Sequence, residues 1–316
     1  MEHVMNGYVR LKVSLKSFFM TLCILLVLCL SIIKSYAAVS VVLSEHTQTY
    51  LNVVSAMEQN SDHPVQVYAI SDQTQSLASS QLFIAIGARA CQSVLAAIQS
   101  HQSLFCTFLP SQAYELILQT TQASLRLSQE HLSALFLDQP LERQIHLARL
   151  IQPDAEFLGT LLGPNSHHLK PHFDAYSRKH HFTPISARLS ESDNPVQELT
   201  PIIEQSDVFL SLPDNALFNR SATRWSLYIA LRNKVPLIGF SASYVDAGAV
   251  IGLYSTPTQI GRQTGEVLDY FMKHKHLPPP SFPNYFSLSV NRSAARTLQI
   301  NLPEIDEMLD ALKTSK

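Results

Sequence analysis

The chain has 316 residues, of which 46% are hydrophobic and 15% are charged, and its formal net charge is −2. This composition is that of a folded protein with a large apolar core, and it excludes an intrinsically disordered chain. Residues 38–316 carry 19 basic and 24 acidic side chains, an acidic balance that offers no electrostatic footprint for nucleic acid. The length suggests two domains or one large domain.

The N-terminus has the pattern of a secretory signal. Three basic residues precede an apolar run over residues 18–33, and Ser35 and Ala37 supply the small side chains that a signal peptidase requires. We therefore expect residues 1–37 to be a signal peptide and the remainder to be exported. An uncleaved membrane anchor is the alternative, although the run is shorter than the roughly 20 residues that span a bilayer.

Short apolar runs then alternate with helix-length amphipathic segments. The first group of predicted strands covers residues 39–43, 65–70, 81–86, 104–109 and 132–137. The second group covers residues 156–162, 183–187 and 286–290, together with segments near 208, 236 and 250. Such alternation is typical of β–α–β units in parallel sheets. Two successive groups without a long linker predict an α/β protein of two similar lobes, each with a parallel sheet, and a cleft between them.

Two cysteines remain after the predicted cleavage, and an exported protein can form a disulfide. Cys91 follows one predicted strand, whereas Cys106 comes near the start of the next. Those positions lie at opposite ends of a parallel sheet, further apart than the ~7 Å between Cα atoms that a disulfide allows. We therefore expect both cysteines to be buried and free, with a disulfide as the alternative.

Polar and small residues follow several predicted strands, at the edge where open parallel sheets bind their ligands. The candidate ligand-binding residues are Ser44, Glu45, Gly87, Arg89, Asn165, Ser166, Asp214, Asn215, Ser241, Tyr244 and Tyr254. They include no nucleophile paired with a base, which indicates binding rather than catalysis.

Each candidate also has a purely structural interpretation, and both interpretations stay open. Asp214 and Asn215 are preferred helix N-cap residues as well as potential ligand contacts. Tyr244 and Tyr254 either stack on a ligand or are simply half-buried. Arg89 is suited to a ligand carboxylate and Glu45 to a ligand amine, and either residue is equally typical of a protein surface.

The usual cofactor motifs are absent. The chain contains neither G-x-G-x-x-G after a predicted strand, nor a Walker A loop, nor G-x-S-x-G, so we expect no cofactor. His168 and His172 have the i, i+4 spacing of a metal-binding pair. Pro171 interrupts that segment and the nearest carboxylate points off the shared face, so a solvated helix face is expected and no metal.

Four segments carry a resemblance to a known family. They are SALFLDQPLERQ (133–144), DVFLSLPDNALFN (207–219), VPLIGFSASYVDAGAVIGLYSTPTQIGRQTGEVL (235–268) and FSLSVNRSAARTLQINLP (286–303). The chain resembles the substrate-binding proteins of ABC transporters, in particular those associated with uptake of aromatic amino acids and related small molecules. The resemblance implies the type I periplasmic binding protein fold, in which two Rossmann-like lobes joined by three crossovers close on a ligand. It places the first lobe at 38–138 plus 255–284 and the second at 139–254 plus 285–316.

The expected function is therefore periplasmic solute capture without catalysis. The protein, expected to be a monomer, would bind a small molecule, an aromatic amino acid among the candidates, and present it to a membrane permease and ATPase complex. The same fold would also serve as the ligand-sensing input of a membrane signalling receptor. An exported enzyme is the remaining alternative, and Ser44, Glu45 and His46 are its only compact set of catalytic candidates.

Overall fold

A computed structural model describes residues 39–75, 80–190, 193–214 and 220–314. The predicted signal peptide and the candidate Asn215 lie outside the described residues. Over the described ranges, every helix is too short or too polar to cross a bilayer.

The N-terminal part of the chain forms a parallel sheet. Its strands are β1 (Val39–Leu43), β2 (Val65–Ala69), β3 (Leu82–Ile86), β4 (Ser103–Leu109) and β5 (Leu132–Phe136). They are all parallel and lie in the order β2-β1-β3-β4-β5. Strands β1 and β3 are buried at every residue, as expected for a parallel sheet with helices on both faces. The helices within this part are α1 (Gln48–Gln59), α2 (Ala88–Ala97), α3 (Ser111–Leu118) and α4 (Thr121–Ser128).

A second sheet follows. Its strands are β6 (Phe157–Leu162), β7 (Thr183–Arg188), β8 (Val208–Leu210), β9 (Leu237–Gly239), β10 (Ile251–Tyr254) and β11 (Ser287–Val290). They lie in the order β11-β10-β9-β8-β6-β7, and β11 alone runs antiparallel to its neighbour. The remaining helices are α5 (Leu141–Ile151), α6 (Lys170–Lys179), α7 (Pro195–Glu204), α8 (Arg220–Arg232), α9 (Ala242–Asp246), α10 (Pro257–His274), α11 (Arg292–Thr297) and α12 (Ile305–Leu312). The predicted α/β class with two parallel sheets is confirmed, with β11 as an antiparallel edge strand.

Helix α10 returns the chain from the second sheet to the helical layer of the first. Thr256 and Gln259 form a capping box that begins the helix. Gly261 lets α10 approach α1 so closely that a Cβ atom there would overlap the backbone of Val53. After α10 the chain crosses again to form β11, so three segments join the two sheets.

One hydrogen-bonded network ties these three connections together. Gln139 Nε2 donates to Ser255 Oγ at 2.8 Å, and Ser255 Oγ donates to the carbonyl of Tyr285 at 2.6 Å. The buried Arg143 guanidinium donates to Gln139 Oε1 at 2.8 Å and to the carbonyl of Pro283 at 3.0 Å. Burial lowers the pKa of Arg143 to about 10. We call these five residues the connection network.

The prediction that both cysteines are free was wrong. Cys91 and Cys106 form a disulfide with 5.5 Å between their Cα atoms. Strand β4 begins at Ser103, so Cys106 lies at its middle, beside Ala85 of β3. Ala85 is one residue from the carboxyl end of β3. Cys91 lies in the first turn of α2, which begins two residues after β3 ends, so the two cysteines meet near the carboxyl end of the sheet.

Candidate ligand-binding site

Two adjoining cavities lie between the carboxyl ends of the two sheets. The larger has a volume of about 410 Å³ and is enclosed by α3 and the loop that follows β6. The smaller has a volume of about 300 Å³ and lies between the end of β5 and the ends of β9 and β10. Pro110 and Pro213 line both cavities. Volumes of this size suit a small molecule.

Two polar contacts cross the cleft at the larger cavity. Gln112 Nε2, on α3, donates to the carbonyl of Pro213 at 3.1 Å. Glu115 Oε2, one turn further along α3, lies 3.2 Å from His168 Nε2 on the opposite side. These contacts hold the helix of the first sheet against the strand ends of the second.

A buried carboxylate organises the wall of the larger cavity. Asp214 follows β8 and is 3% exposed. Its Oδ2 atom accepts hydrogen bonds from Asn165 N at 3.0 Å, Ser166 N at 2.9 Å and Ser166 Oγ at 2.8 Å, and Oδ1 accepts one from Asn165 Nδ2 at 3.1 Å. A Cβ atom on Gly163 would lie 2.6 Å from Oδ2, so glycine is needed for this close approach. Asp214 thus fixes the loop after β6 from the neighbouring strand.

The smaller cavity combines a buried acid with aromatic and hydroxyl groups. Asp138, at the end of β5, accepts hydrogen bonds from the backbone N–H and the hydroxyl of Ser111, both at 2.6 Å. Burial raises the pKa of Asp138, and the hydrogen bonds from Ser111 act against that rise. On the opposite wall lie Phe240, Ser241 and Tyr254. The Tyr254 hydroxyl forms a 2.8 Å hydrogen bond with Ser289, which orients the ring.

The strand ends of the first sheet carry a surface ion pair. Arg89 Nη2 donates to Glu45 Oε1 at 2.8 Å and to the carbonyl of Ser44 at 3.0 Å. Ser44 Oγ accepts from Ala90 N at 2.8 Å, and Gly87, with φ of +92°, packs against Ser44. The hydroxyl of Ser44 therefore holds the start of α2, and Glu45 is paired with an arginine rather than arranged for proton transfer.

The charges around the cleft are mainly acidic. Glu115 lines the larger cavity and Asp138 the smaller, and the described residues that line either cavity include no lysine or arginine. Across the described ranges no group of three His, Cys, Asp or Glu side chains is placed to hold a metal ion. The cleft can therefore offer a ligand hydrogen-bond acceptors, amides, hydroxyls and aromatic surface.

Residues 52–310 match the sequence model of one protein family, described as ABC transporter substrate binding protein. The chain belongs to this family. No curated protein matches the sequence significantly.

Three solved structures share the fold at low identity. A ligand-free, open substrate-binding protein with adhesive properties from Clostridium difficile has a TM-score of 0.64 and 17% identity, covering 84% of this chain and 96% of that one. A conserved domain protein from Vibrio cholerae has a TM-score of 0.59 and 19% identity, covering 86% and 97%. An ABC domain in complex with L-Trp from Streptococcus pneumonia has a TM-score of 0.58 and 14% identity, covering 86% and 98%. The predicted family and the type I periplasmic binding protein fold are both confirmed.

The structure of this substrate-binding protein separates the predicted site residues into three groups. Asn165, Ser241 and Tyr254 line the cavities. Ser44, Glu45, Gly87 and Arg89 lie at the same edge of the first sheet but line neither cavity. Ser166, Asp214 and Tyr244 are buried and support the walls.

Tyr244 has a structural role, because its ring is buried and has no face open to the cleft. It is 4% exposed, and its hydroxyl lies 3.1 Å from both Ser211 Oγ and Ser226 Oγ. Its ring packs over Gly239, where a Cβ atom would lie 2.8 Å from that of Tyr244. Burial raises the pKa of Tyr244. The ring therefore belongs to the core of the second sheet.

Several residues that line the cleft were not among the predicted site residues. Asp138 and Gln139 follow β5 in the same strand-end position that marked the other candidates, so the signal was present in the sequence. Glu115 and His168 carried no comparable signal. His168 was expected on a solvated helix face shared with His172, but it lies in the 3-10 turn His167–Leu169 before α6 and faces Glu115.

Proposed function

We propose that this protein is an exported, non-enzymatic solute-binding component of an ABC transporter. It binds a small molecule between its two lobes and presents the closed form to a membrane permease. The observation that carries the proposal is the pair of adjoining cavities between the strand ends of two sheets, bridged by the Gln112–Pro213 and Glu115–His168 contacts. Hinge closure around a ligand is the motion that such a two-lobed arrangement allows.

The proposed lobes are residues 38–138 plus 255–284 and residues 139–254 plus 285–316. Export is supported by the N-terminal sequence pattern and by the disulfide between Cys91 and Cys106, because disulfides persist in oxidising compartments. The protein is proposed to act as a monomer, since one chain supplies both walls of the cleft.

The chemistry of the cleft favours a neutral or cationic solute. Glu115 and Asp138 are suited to amine or hydroxyl donors, and Phe240 and Tyr254 give the smaller cavity an aromatic wall. Arg89 is the residue predicted to contact a ligand carboxylate, and it is already paired with Glu45. An aromatic amine fits these groups well, and an aromatic amino acid would need its carboxylate to reach a backbone N–H or a hydroxyl.

A thermal-shift screen against amines, amino acids, nucleosides and small carboxylates tests the proposal. A ligand at 100 times its dissociation constant stabilises the folded state by about 2.7 kcal/mol, which raises the melting temperature measurably. The response should weaken in Tyr254→Ala and persist in Tyr270→Ala, which alters a tyrosine on the outer helix α10. A response that is equal in both variants, or strongest with dicarboxylates, would contradict the proposed site.

A further inference from the structure

Helix α8 presents a row of large apolar side chains to solvent. Trp225, Tyr228 and Leu231 are 44%, 54% and 51% exposed, and the rings of Trp225 and Tyr228 meet edge to face with 5.8 Å between centroids. Residues spaced three or four apart lie on one side of a helix. The opposite side of α8, including Ala222 and Ile229, is buried against the second sheet. The row is therefore a continuous outer face that the core does not use.

Three cations lie on or beside the same face. Arg224 and Arg232 lie between the apolar side chains on the helical face, and Lys234 follows just after the helix ends; all three are exposed. The neighbouring helix α7 carries Glu198 and Glu204, and α9 carries Asp246. In the part of the chain that the structure describes, none of these acids forms an ion pair with the three cations.

We propose that this face, formed by Arg224, Trp225, Tyr228, Leu231, Arg232 and Lys234, binds the anionic surface of a phospholipid bilayer. Exposed aromatic and aliphatic side chains interleaved with unpaired cations are the chemistry of helices that lie in the membrane interface. Tryptophan and tyrosine favour the headgroup region, and each nearby cation adds attraction to acidic lipids.

Charge supports a lipid surface as the partner. Residues 38–316 carry a net charge of −5, which a bilayer of acidic lipids repels. The three cations of this face attract the same bilayer, so they favour one orientation of the protein. The attraction would orient the protein with α8 against the membrane and raise its concentration near a permease. The inference goes beyond solute capture and rests on the proposed export to a membrane-bounded compartment.

The chain carries a built-in reporter for this contact, because Trp225 is its single tryptophan. The experiment mixes the exported chain, residues 38–316, with vesicles of phosphatidylglycerol and phosphatidylcholine whose acyl chains are brominated, and measures tryptophan emission. Binding through α8 predicts a blue shift and quenching with the acidic vesicles and little change with pure phosphatidylcholine. Since only α8 is observed, attachment of another part of the chain to the vesicle does not produce the signal.

Two variants give the test its specificity. In Arg224→Gln/Arg232→Gln/Lys234→Gln the apparent affinity should fall on the order of 100-fold, at about five-fold for each cation removed, and added salt should have the same effect on the unaltered protein. In Trp225→Phe/Leu125→Trp the reporter moves to a residue on α4 that is 57% exposed, and its emission should not respond to vesicles. The altered side chains are exposed, so thermal unfolding of both variants should match that of the unaltered protein.

Three outcomes would overturn the proposal. They are quenching of the relocated tryptophan to the same extent, quenching that survives removal of the three cations, and quenching that requires membranes containing a transporter protein. The last result would instead identify a protein as the partner of α8. No solute is present in these mixtures, so a negative result leaves solute binding in the cleft untouched.

Discussion

At the carboxyl edge of the second sheet a buried carboxylate, Asp214, accepts four hydrogen bonds from the loop after β6, whereas the first sheet holds its edge with a disulfide and a glycine. The Asp214 edge is held by four directional hydrogen bonds that are all accepted by one side chain. The Cys91–Cys106 edge is built from one covalent link and from close packing of Gly87 on Ser44. The two sheets therefore fix the loops at their carboxyl edges by different means, which should fail under different conditions.

The largest expected effect comes from removing the buried acceptor. Asp214→Ala leaves the backbone N–H groups of Asn165 and Ser166 without their partner in a buried site, and each unsatisfied group costs about 1–3 kcal/mol. We expect the free energy of unfolding, measured by urea denaturation, to fall by about 3 kcal/mol or more. Asp214→Asn keeps one acceptor oxygen, so its free energy of unfolding should lie between those of the unaltered protein and of Asp214→Ala. A loss below about 1 kcal/mol in the alanine variant would show that the network contributes little.

Loss of the disulfide should have the next largest effect. In Cys91→Ala/Cys106→Ala a link that closes a sequence separation of 15 residues is removed, which corresponds to about 3 kcal/mol. Dithiothreitol should lower the urea midpoint of the unaltered protein towards that of the variant and leave the variant unchanged. Reductant should have no effect on Asp214→Ala beyond the effect it has on the unaltered protein, because the two edges are independent.

A smaller loss is expected from Gly87→Ala. Its φ of +92° is unfavourable for alanine, and the new Cβ atom would lie 2.5 Å from Ser44 Oγ, so we expect a loss of about 1–3 kcal/mol. Gly248→Ala is the matched control, because Gly248 also has positive φ (+130°) but its Cβ atom would meet nothing closer than Leu227 at 3.9 Å. Equal losses in the two variants would assign the whole effect to backbone strain and none to packing on Ser44.

The smallest effect on stability is expected at the ion pair of the first sheet. Glu45 and Arg89 have side chains 51% and 65% exposed, and pairs so exposed contribute about 0.2–1 kcal/mol. The single variants Glu45→Ala and Arg89→Ala should each change the unfolding free energy by less than about 1 kcal/mol, and the double variant by no more than their sum. A large change in the thermal response to a solute, without a change in stability, would show that Glu45 and Arg89 contribute to the binding site.

The central strands of the sheets were the most predictable, because they are apolar runs buried on both faces, such as β1 and β3. The break between α3 and α4 was not predictable from the hydrophobic pattern, since Thr120 caps a second helix only two residues after α3 ends. The antiparallel direction of β11 was also not predictable, since it depends on where the chain re-enters the sheet after α10 and not on the residues of the strand.

The site was predictable where function follows from position along a strand. Asn165, Ser241 and Tyr254 line the cavities because they come at strand ends, which an apolar run reveals. The burial of Tyr244 depends instead on the space above Gly239, and the Glu115–His168 contact joins residues from different sheets. Neither the burial of Tyr244 nor the Glu115–His168 contact produces a periodic pattern in the sequence, so neither was predictable. The disulfide was missed because Cys106 was treated as lying at the start of its strand, although it pairs with Ala85, one residue before β3 ends.

The connection network has a mechanical consequence for the proposed closure. Gln139, Ser255 and Tyr285 belong to the three separate segments between the lobes, yet hydrogen bonds hold them at one place, which makes that place a pivot. Gln139 and Ser255 line the smaller cavity, which therefore lies beside the pivot. They do not line the larger cavity, which lies further from the pivot. For the same rotation, Glu115 and His168 separate further than any pair of groups beside the pivot. In the proposed closure the larger cavity would be the entrance, and the smaller cavity would keep nearly the same shape.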